Sequence, residues 1–337
     1  MAEIDFAFER YNEMDNALAE FYIVTKDSDK KYLAKGYKRE LYDSNNDAMK
    51  YLRHEIITLK SLDHPNIIKI EELKKTKENY FFFMEYVNGN TLSNILKSYI
   101  SKNETPFSEE IAQHLMIQIM DALKYIHSKN IVHRDLNLEN IFLDFNTEED
   151  KENLNILNST VKICDFYTSS HINKPNLLHA VIGSPLRMDP IILKGLVTQE
   201  KSSYDERIDI YSVGICLYEM LTGKTPFEDD DLDAFYEKVG KGIFNISSDF
   251  SKETISLLKE MLKYDFNKRL SSKQLMKHPF FTKGVNAFEK NDNSQDSIEV
   301  NIKDDTQTFN PEGDDSENGN EPDISDFTLE ELFKEEM

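Results

Sequence analysis

Cysteine is scarce: Cys164 and Cys216 are the only two in 337 residues, far apart and each inside an apolar run. That excludes a fold stapled by disulfides and reads as two buried free thiols in a reducing compartment. Long apolar runs are missing as well. No stretch approaches the roughly 18 residues of a membrane-spanning helix, and no apolar run follows a basic segment near the start. The expectation is a cytoplasmic or nuclear chain with no membrane partner. Basic residues are in deficit, 40 Lys and Arg against 62 Asp and Glu, for a net charge of -22. Phosphate backbones repel such a balance, so nucleic acid is not an expected partner.

What is present is an ordinary globular mixture, 39% hydrophobic and 30% charged, enough for one large domain or two lobes. The acidic excess is local. Residues 289–337 hold 17 Asp and Glu against 3 Lys, which places -14 of the charge there and leaves the body only mildly acidic. No internal repeat is visible.

Residues 19–38, AEFYIVTKDSDKKYLAKGYK, show two aromatic-rich runs around KDSDKK, the pattern of a hairpin. Residues 44–62 place Met49, Leu52, Ile56 and Leu59 at spacings of three and four, predicting an amphipathic helix that ends before His64-Pro65. Two strand-like runs follow, IIKIEEL and YFFFMEYV. After Asn88-Gly89 the period becomes helical: TLSNILKSYI, then a segment opened by Pro106, Ser108 and an acidic first turn, and later DERIDIYSVGICLYEMLTG, ended by Gly223. Short strands surround residues 131–165, with FNTEEDKENLNILNST between them expected as a solvated loop. The folded body is expected to end near Thr282 to Asn286.

Within this frame, IVHRDLNLENIFL at 131–143 sets His133, Arg134, Asp135 and Asn140 between two apolar β-type runs. Such framing holds a loop rigid, the usual way to place reactive groups. The order Lys35, Glu55, MEYV, HRDLNLEN, CDFY and GSPLRMDP resembles that of the eukaryotic protein kinases, over roughly residues 8–283. The resemblance implies an α+β, bilobal fold. It has a small antiparallel β-rich N-lobe with one helix (1–86), a larger mainly helical C-lobe (87–286), ATP in the cleft between them, and an acidic segment (287–337) outside.

The activity so implied is transfer of the γ-phosphate of ATP to a serine or threonine of a protein substrate, chemistry that rests on positioning and charge neutralisation. By the resemblance, Lys35 holds the α and β phosphates and Glu55 pairs with it. Asp135 is the catalytic base, and Asn140 and Asp165 bind Mg²⁺ through hard oxygens. Met84 stands at the back of the adenine pocket, with Glu85 and Val87 offering backbone groups. His133, Phe166 and Leu59 match packing residues, and Asp209 matches a buried aspartate that ties down the catalytic loop. GSPL, with Ser184, resembles a serine/threonine substrate loop.

Several positions depart from the family. The glycines of the phosphate-covering loop fall, by gapless counting from Lys35, at Glu13, Asp15 and Leu18. Bulk and negative charge there oppose close approach to phosphate. In the same register Glu20 stands where an apolar residue is expected, and Leu33 replaces a small one. Asn137 replaces the catalytic-loop lysine, a loss worth roughly 10²-fold. Tyr167 replaces the glycine after Asp165-Phe166. Ile191 replaces the glutamate that pairs with Arg269, with Asp189 a possible substitute. The position expected to carry an activating phosphate reads Ala180, which leaves Arg134 without that anion.

Two readings therefore stand: an active, divergent serine/threonine kinase, or a pseudokinase that serves as scaffold or allosteric partner. Residues 287–322 have the composition of a disordered segment. In DFTLEELFKEEM, Thr328 and Glu331 fit a capping box, with Phe327 and Leu332 as its hydrophobic staple. Residues 327–336 are thus expected as a short amphipathic helix that docks in the groove of a partner or on the body.

Overall fold

The computed structural model describes residues 6–11, 19–26, 30–172, 178–289, 297–303 and 309–311. Residues 12–18, which carry the three phosphate-loop positions, and the 327–336 segment lie outside them. The described residues fall into two compact units, those within 1–92 and 141–169 and those within 93–140 and 170–311.

The first unit is built on strands β1 (Phe6–Arg10), β2 (Glu20–Lys26), β3 (Lys30–Lys38), β4 (Ile70–Lys75) and β5 (Asn79–Glu85), in the order β1-β2-β3-β5-β4. Every pairing is antiparallel. The hairpin expected over 19–38 is β2–β3. Alternation along the strands sends Val24, Tyr32, Ala34, Phe81 and Phe83 into one cluster, with Tyr22 against it. After a single turn, α1 (Arg39–Tyr42), comes the helix expected over 44–62, α2 (Asn46–Ser61). Asn45 caps it, accepting from the Asp47 and Ala48 amides, and Leu52, Glu55, Ile56 and Leu59 form its buried face.

Residues 141–169, expected with the helical lobe, belong instead to this unit. Strand Ile141–Phe145 pairs on one side with β6 (Gly89–Thr91) and on the other with Ser159–Ile163. The Ile68 amide also donates to the Ile163 carbonyl at 2.9 Å. The stretch between these strands is not the plain loop expected. A short helix, Glu148–Asn153, is capped by Thr147 and closed by Leu154 at φ 54°, and Ile156 is buried.

The second unit is mainly helical: Leu92–Asn103, Glu109–Ser128, Pro190–Thr198, Arg207–Thr222, Leu232–Lys241 and Lys252–Met261 are its longer helices. Arg207–Thr222 is buried along most of its length and ends at Gly223, whose φ of 75° only glycine adopts without strain. The fold does not stop at 286. Ser297–Asn301 forms a strand antiparallel to Ile243–Ser247, and burial alternates along it with Val300 and Ile302 inside. Composition placed this segment in the disordered stretch because the acidic neighbours mask the period of Ile298, Val300 and Ile302.

Candidate active site

In the first unit the geometry is set by three elements. Lys35 lies on β3, Glu55 on the buried face of α2, and Asp165 just beyond the strand Ser159–Ile163. The Lys35 Nζ donates to Glu55 Oε1 at 2.8 Å and to Asp165 Oδ1 at 3.0 Å. Burial by itself would lower the Lys35 pKa, but Asp165 and Glu55 outweigh it and hold the ammonium protonated, its pKa raised. Burial pushes the Glu55 carboxyl up, with Lys35 pulling against it. Asp165 has a φ of 61°, unusual for a non-glycine residue and a conformation the surrounding structure must enforce.

Phe21 pairs with Lys35 across β2–β3 and brings its ring to 5.9 Å from Nζ. The apolar residue over this site is thus Phe21, one place on from Glu20, which turns instead to Tyr22, Arg10 and Lys38. Leu33, Met84 and Val87 are buried. Glu85 is braced by a residue that sequence reasoning missed: Lys162 Nζ lies 2.9 Å from both of its carboxylate oxygens. The Glu85 amide is engaged by the Lys69 carbonyl at 2.9 Å.

In the second unit, Asp135 is oriented through both carboxylate oxygens. Oδ1 accepts from the Ser184 amide at 3.0 Å and its hydroxyl at 3.2 Å, and Oδ2 accepts from Asn140 Nδ2 at 3.1 Å. Asp209 holds the loop from beneath as the resemblance implied, accepting the His133 and Arg134 amides at 2.9 Å each while wholly buried. Arg134 stands at φ 70°. Gly183 lets the substrate-loop segment come this close, because a Cβ there would meet the Arg134 carbonyl at 2.7 Å.

Asn137 is no simple gap left by a lysine. Its Oδ1 accepts from the Glu139 and Asn140 amides at 2.9 and 3.0 Å, and its Nδ2 donates to the Asp135 carbonyl at 3.1 Å. Asn140 donates to that same carbonyl at 2.8 Å. With its amide nitrogen turned to Asp135, Asn140 presents its side-chain oxygen in this unit; in the first unit Asp165 has a partly exposed carboxylate. Each is by its chemistry a hard-oxygen donor of the kind Mg²⁺ takes.

The activation segment is held without a phosphate. Leu178 and Tyr204 exchange backbone hydrogen bonds at 2.9 and 3.0 Å, and the Tyr204 hydroxyl donates to the Ala180 carbonyl at 2.5 Å. Arg187 binds both Glu219 oxygens at 2.9 and 3.0 Å. Asp189 takes the place of the missing glutamate as partner of Arg269.

A profile described as "Protein kinase domain" matches residues 18–281. The chain belongs to the protein kinase domain family. Among curated kinases, it is 34% identical over 79% of its length to a probable serine/threonine-protein kinase of Dictyostelium discoideum, covering 29% of that protein. It is 36% identical over 69% of its length to calcium-dependent protein kinase 5 of Plasmodium falciparum, covering 38% of it. For CBL-interacting serine/threonine-protein kinase 5 of Arabidopsis thaliana the values are 34%, 70% and 48%. The chain thus spans less than half the length of these kinases.

Sequence reasoning also missed Tyr37, whose hydroxyl donates to Glu55 Oε2 at 2.5 Å. The signal was available: residues two apart on a strand share a face, so Tyr37 lies on the Lys35 side of β3.

Proposed function

We propose that the chain is an ATP-dependent serine/threonine protein kinase. The observation that carries this reading is the closed set Lys35–Glu55–Asp165, with Lys35 2.8 and 3.0 Å from the two carboxylates while almost wholly buried. Burying a cation with two partners is costly to assemble, and a scaffold that never met a phosphate would have no use for it. The relatives' names, each a serine/threonine or calcium-dependent kinase, support the same class.

In this reading ATP, with Mg²⁺ offsetting its charge, supplies the phosphoryl group, and the residues of the chain position, neutralise and move a proton. Lys35 binds phosphate oxygens, and Glu55 keeps its ammonium aimed and charged. Asp165 and Asn140 would be the residues that hold the cation. Met84, Glu85 and Val87 receive the base, with Lys162 fixing Glu85. Asp135 accepts the proton of the substrate hydroxyl as the new oxygen–phosphorus bond forms and the bond to the leaving diphosphate breaks. Its carboxylate is already oriented by Asn140 and Ser184. Asn137 supplies no charge, so turnover is slower than a lysine would allow.

The test uses the full chain with labelled ATP, Mg²⁺ and a mixed serine/threonine peptide library, alongside nucleotide-dependent thermal shift. Transfer to serine or threonine is expected, lost in Asp135→Asn with ATP binding kept, and both lost in Lys35→Met. A wild-type chain with neither transfer nor a shift at millimolar ATP overturns the reading. A shift without transfer, unchanged in Asp135→Asn, marks a nucleotide-binding scaffold instead.

A further inference from the structure

Each of the three residues of the Lys35 cluster is followed or preceded at short range by a tyrosine. Tyr37 is two along the strand from Lys35, Tyr51 is one helical turn before Glu55, and Tyr167 is two beyond Asp165. The first two spacings put Tyr37 and Tyr51 on the same side of their elements as Lys35 and Glu55, while Tyr167 follows Asp165 in a turn. The three rings stack. Tyr167 lies between Tyr51, at 5.4 Å and 28°, and Tyr37, at 6.4 Å and 20°.

The stack is tied to the cluster by hydrogen bonds. Tyr37, wholly buried, donates to Glu55 Oε2 at 2.5 Å, while Oε1 of the same carboxylate accepts from Lys35. The Tyr167 amide donates to Asp165 Oδ1 at 3.4 Å. A closed circuit results, running Asp165, Lys35, Glu55, Tyr37, Tyr167 and back to Asp165. Phe82, 5.0 Å from Tyr37, and Tyr42, 5.2 Å from it, wedge the ring in place. Burial, reinforced by the neighbouring Glu55 carboxylate, pushes the Tyr37 hydroxyl well above its ordinary pKa and keeps it a donor.

We propose that Tyr37 and Tyr167 are positioning residues: the Tyr37 hydroxyl fixes the rotamer of Glu55, and the Tyr51–Tyr167–Tyr37 stack holds the Asp165 turn in the arrangement that engages Lys35. The inference rests on the kinase reading above. It gives the tyrosine at 167 a purpose that a glycine could not serve, because glycine has no ring to stack and leaves the turn free. Loosening either part lowers the fraction of molecules with Lys35, Glu55 and Asp165 assembled. Apparent nucleotide affinity falls by that fraction, while bound nucleotide reassembles the cluster and turnover at saturation changes little.

The experiment measures kcat and KM for ATP in the full chain, with Mg·ATP dissociation constants by a fluorescent nucleotide, for Tyr37→Phe, Tyr167→Gly, Tyr167→Phe and Tyr80→Phe. Tyr80→Phe is the control, since its hydroxyl binds Asp43 at 2.6 Å on the same sheet. Tyr37→Phe is expected to raise the KM and dissociation constant about tenfold, the factor for one lost hydrogen bond to a charged group, and Tyr167→Gly, which loses the two ring contacts, by a similar factor, with kcat within about threefold in both. Tyr167→Phe, which keeps the ring, and Tyr80→Phe stay near wild type. Unchanged nucleotide constants in Tyr37→Phe, or a fall in kcat alone as from partial unfolding, overturn the inference while wild-type binding leaves the kinase reading intact. A wild-type chain that binds no Mg·ATP overturns both.

Discussion

Asp189 and Arg269 form an ion pair in which both side chains are fully buried, with 2.5 Å between Oδ2 and Nη1. Asp189 also caps the helix Pro190–Thr198 by accepting the Ile191 amide, and Arg269 donates to the carbonyls of Arg207 and Lys263 and lies over the Tyr211 ring. Burial raises the Asp189 carboxyl and Arg269 opposes the rise. One aspartate thus does at position 189 what the family's glutamate does two residues later.

Asp189→Ala should cost about 3–5 kcal/mol, because it strands a buried guanidinium. Asp189→Leu combined with Arg269→Met should cost less than Asp189→Ala alone. Urea unfolding midpoints decide it, and a double variant as unstable as the sum of its singles would show that the two residues do not act as a pair.

Asn137 binds three backbone groups of the loop that carries Asp135 and Asn140. Asn137→Ala should therefore lower kcat on the order of 10- to 100-fold by loosening a geometry that tolerates little displacement. Asn137→Asp, which keeps the two accepted bonds, should lose less. Wild-type turnover in Asn137→Ala, in a steady-state assay at saturating ATP, would remove Asn137 from the positioning of the loop.

The strand Ser297–Asn301 is part of the folded body. Ending the chain after Glu289 uncovers the edge of Ile243–Ser247 and removes Val300 and Ile302, each of which contributes roughly 1.5–3 kcal/mol when buried. The shortened protein should unfold at a clearly lower denaturant concentration and self-associate through the bare edge. Val300→Asp in the full chain should reproduce most of the lost stability. Equal midpoints for full and shortened chains would contradict this.

His278 caps a turn with its ring. Nδ1 accepts the Phe280 amide at 3.2 Å, Nε2 lies 3.1 Å from the Ser256 hydroxyl, and Phe309 sits edge-on at 4.9 Å. Burial, opposed by Glu260 and Glu253, pushes its pKa down to about 4 from an ordinary 6.5. Between those values the unfolded chain binds a proton that the folded chain refuses. The stabilisation is complete above pH 6.5 and is lost as the pH falls towards 4, by roughly 3 kcal/mol at most. In denaturant unfolding from pH 7 to 4, His278→Asn, which keeps a capping acceptor, should flatten that slope. An unchanged slope would assign it to other groups.

Much of this protein could be read from its residues alone. The hairpin, the helix bearing Glu55 and the helix ended by Gly223 follow from local periodicity and caps, which depend only on neighbours in sequence. The family resemblance likewise rested on residues that keep their order and spacing: Lys35, Glu55, Asp135, Asn140 and Asp165. The tertiary structure decided which groups meet. Asp189 could replace a glutamate only because the fold brings Arg269 to it across 80 residues. Lys162 could brace Glu85 only because the fold brings together residues 77 apart in the chain. Asn137 looked like a lost charge until its three hydrogen bonds appeared, and Tyr167 like a stiffened glycine until its ring was found stacked. A short strand in acidic surroundings was invisible because its period spans only three apolar residues, and what fixes it is the partner edge it covers. Local sequence determines element and spacing, whereas a hydrogen bond, an ion pair or a ring stack forms between residues whose separation in the chain carries no signal of their contact.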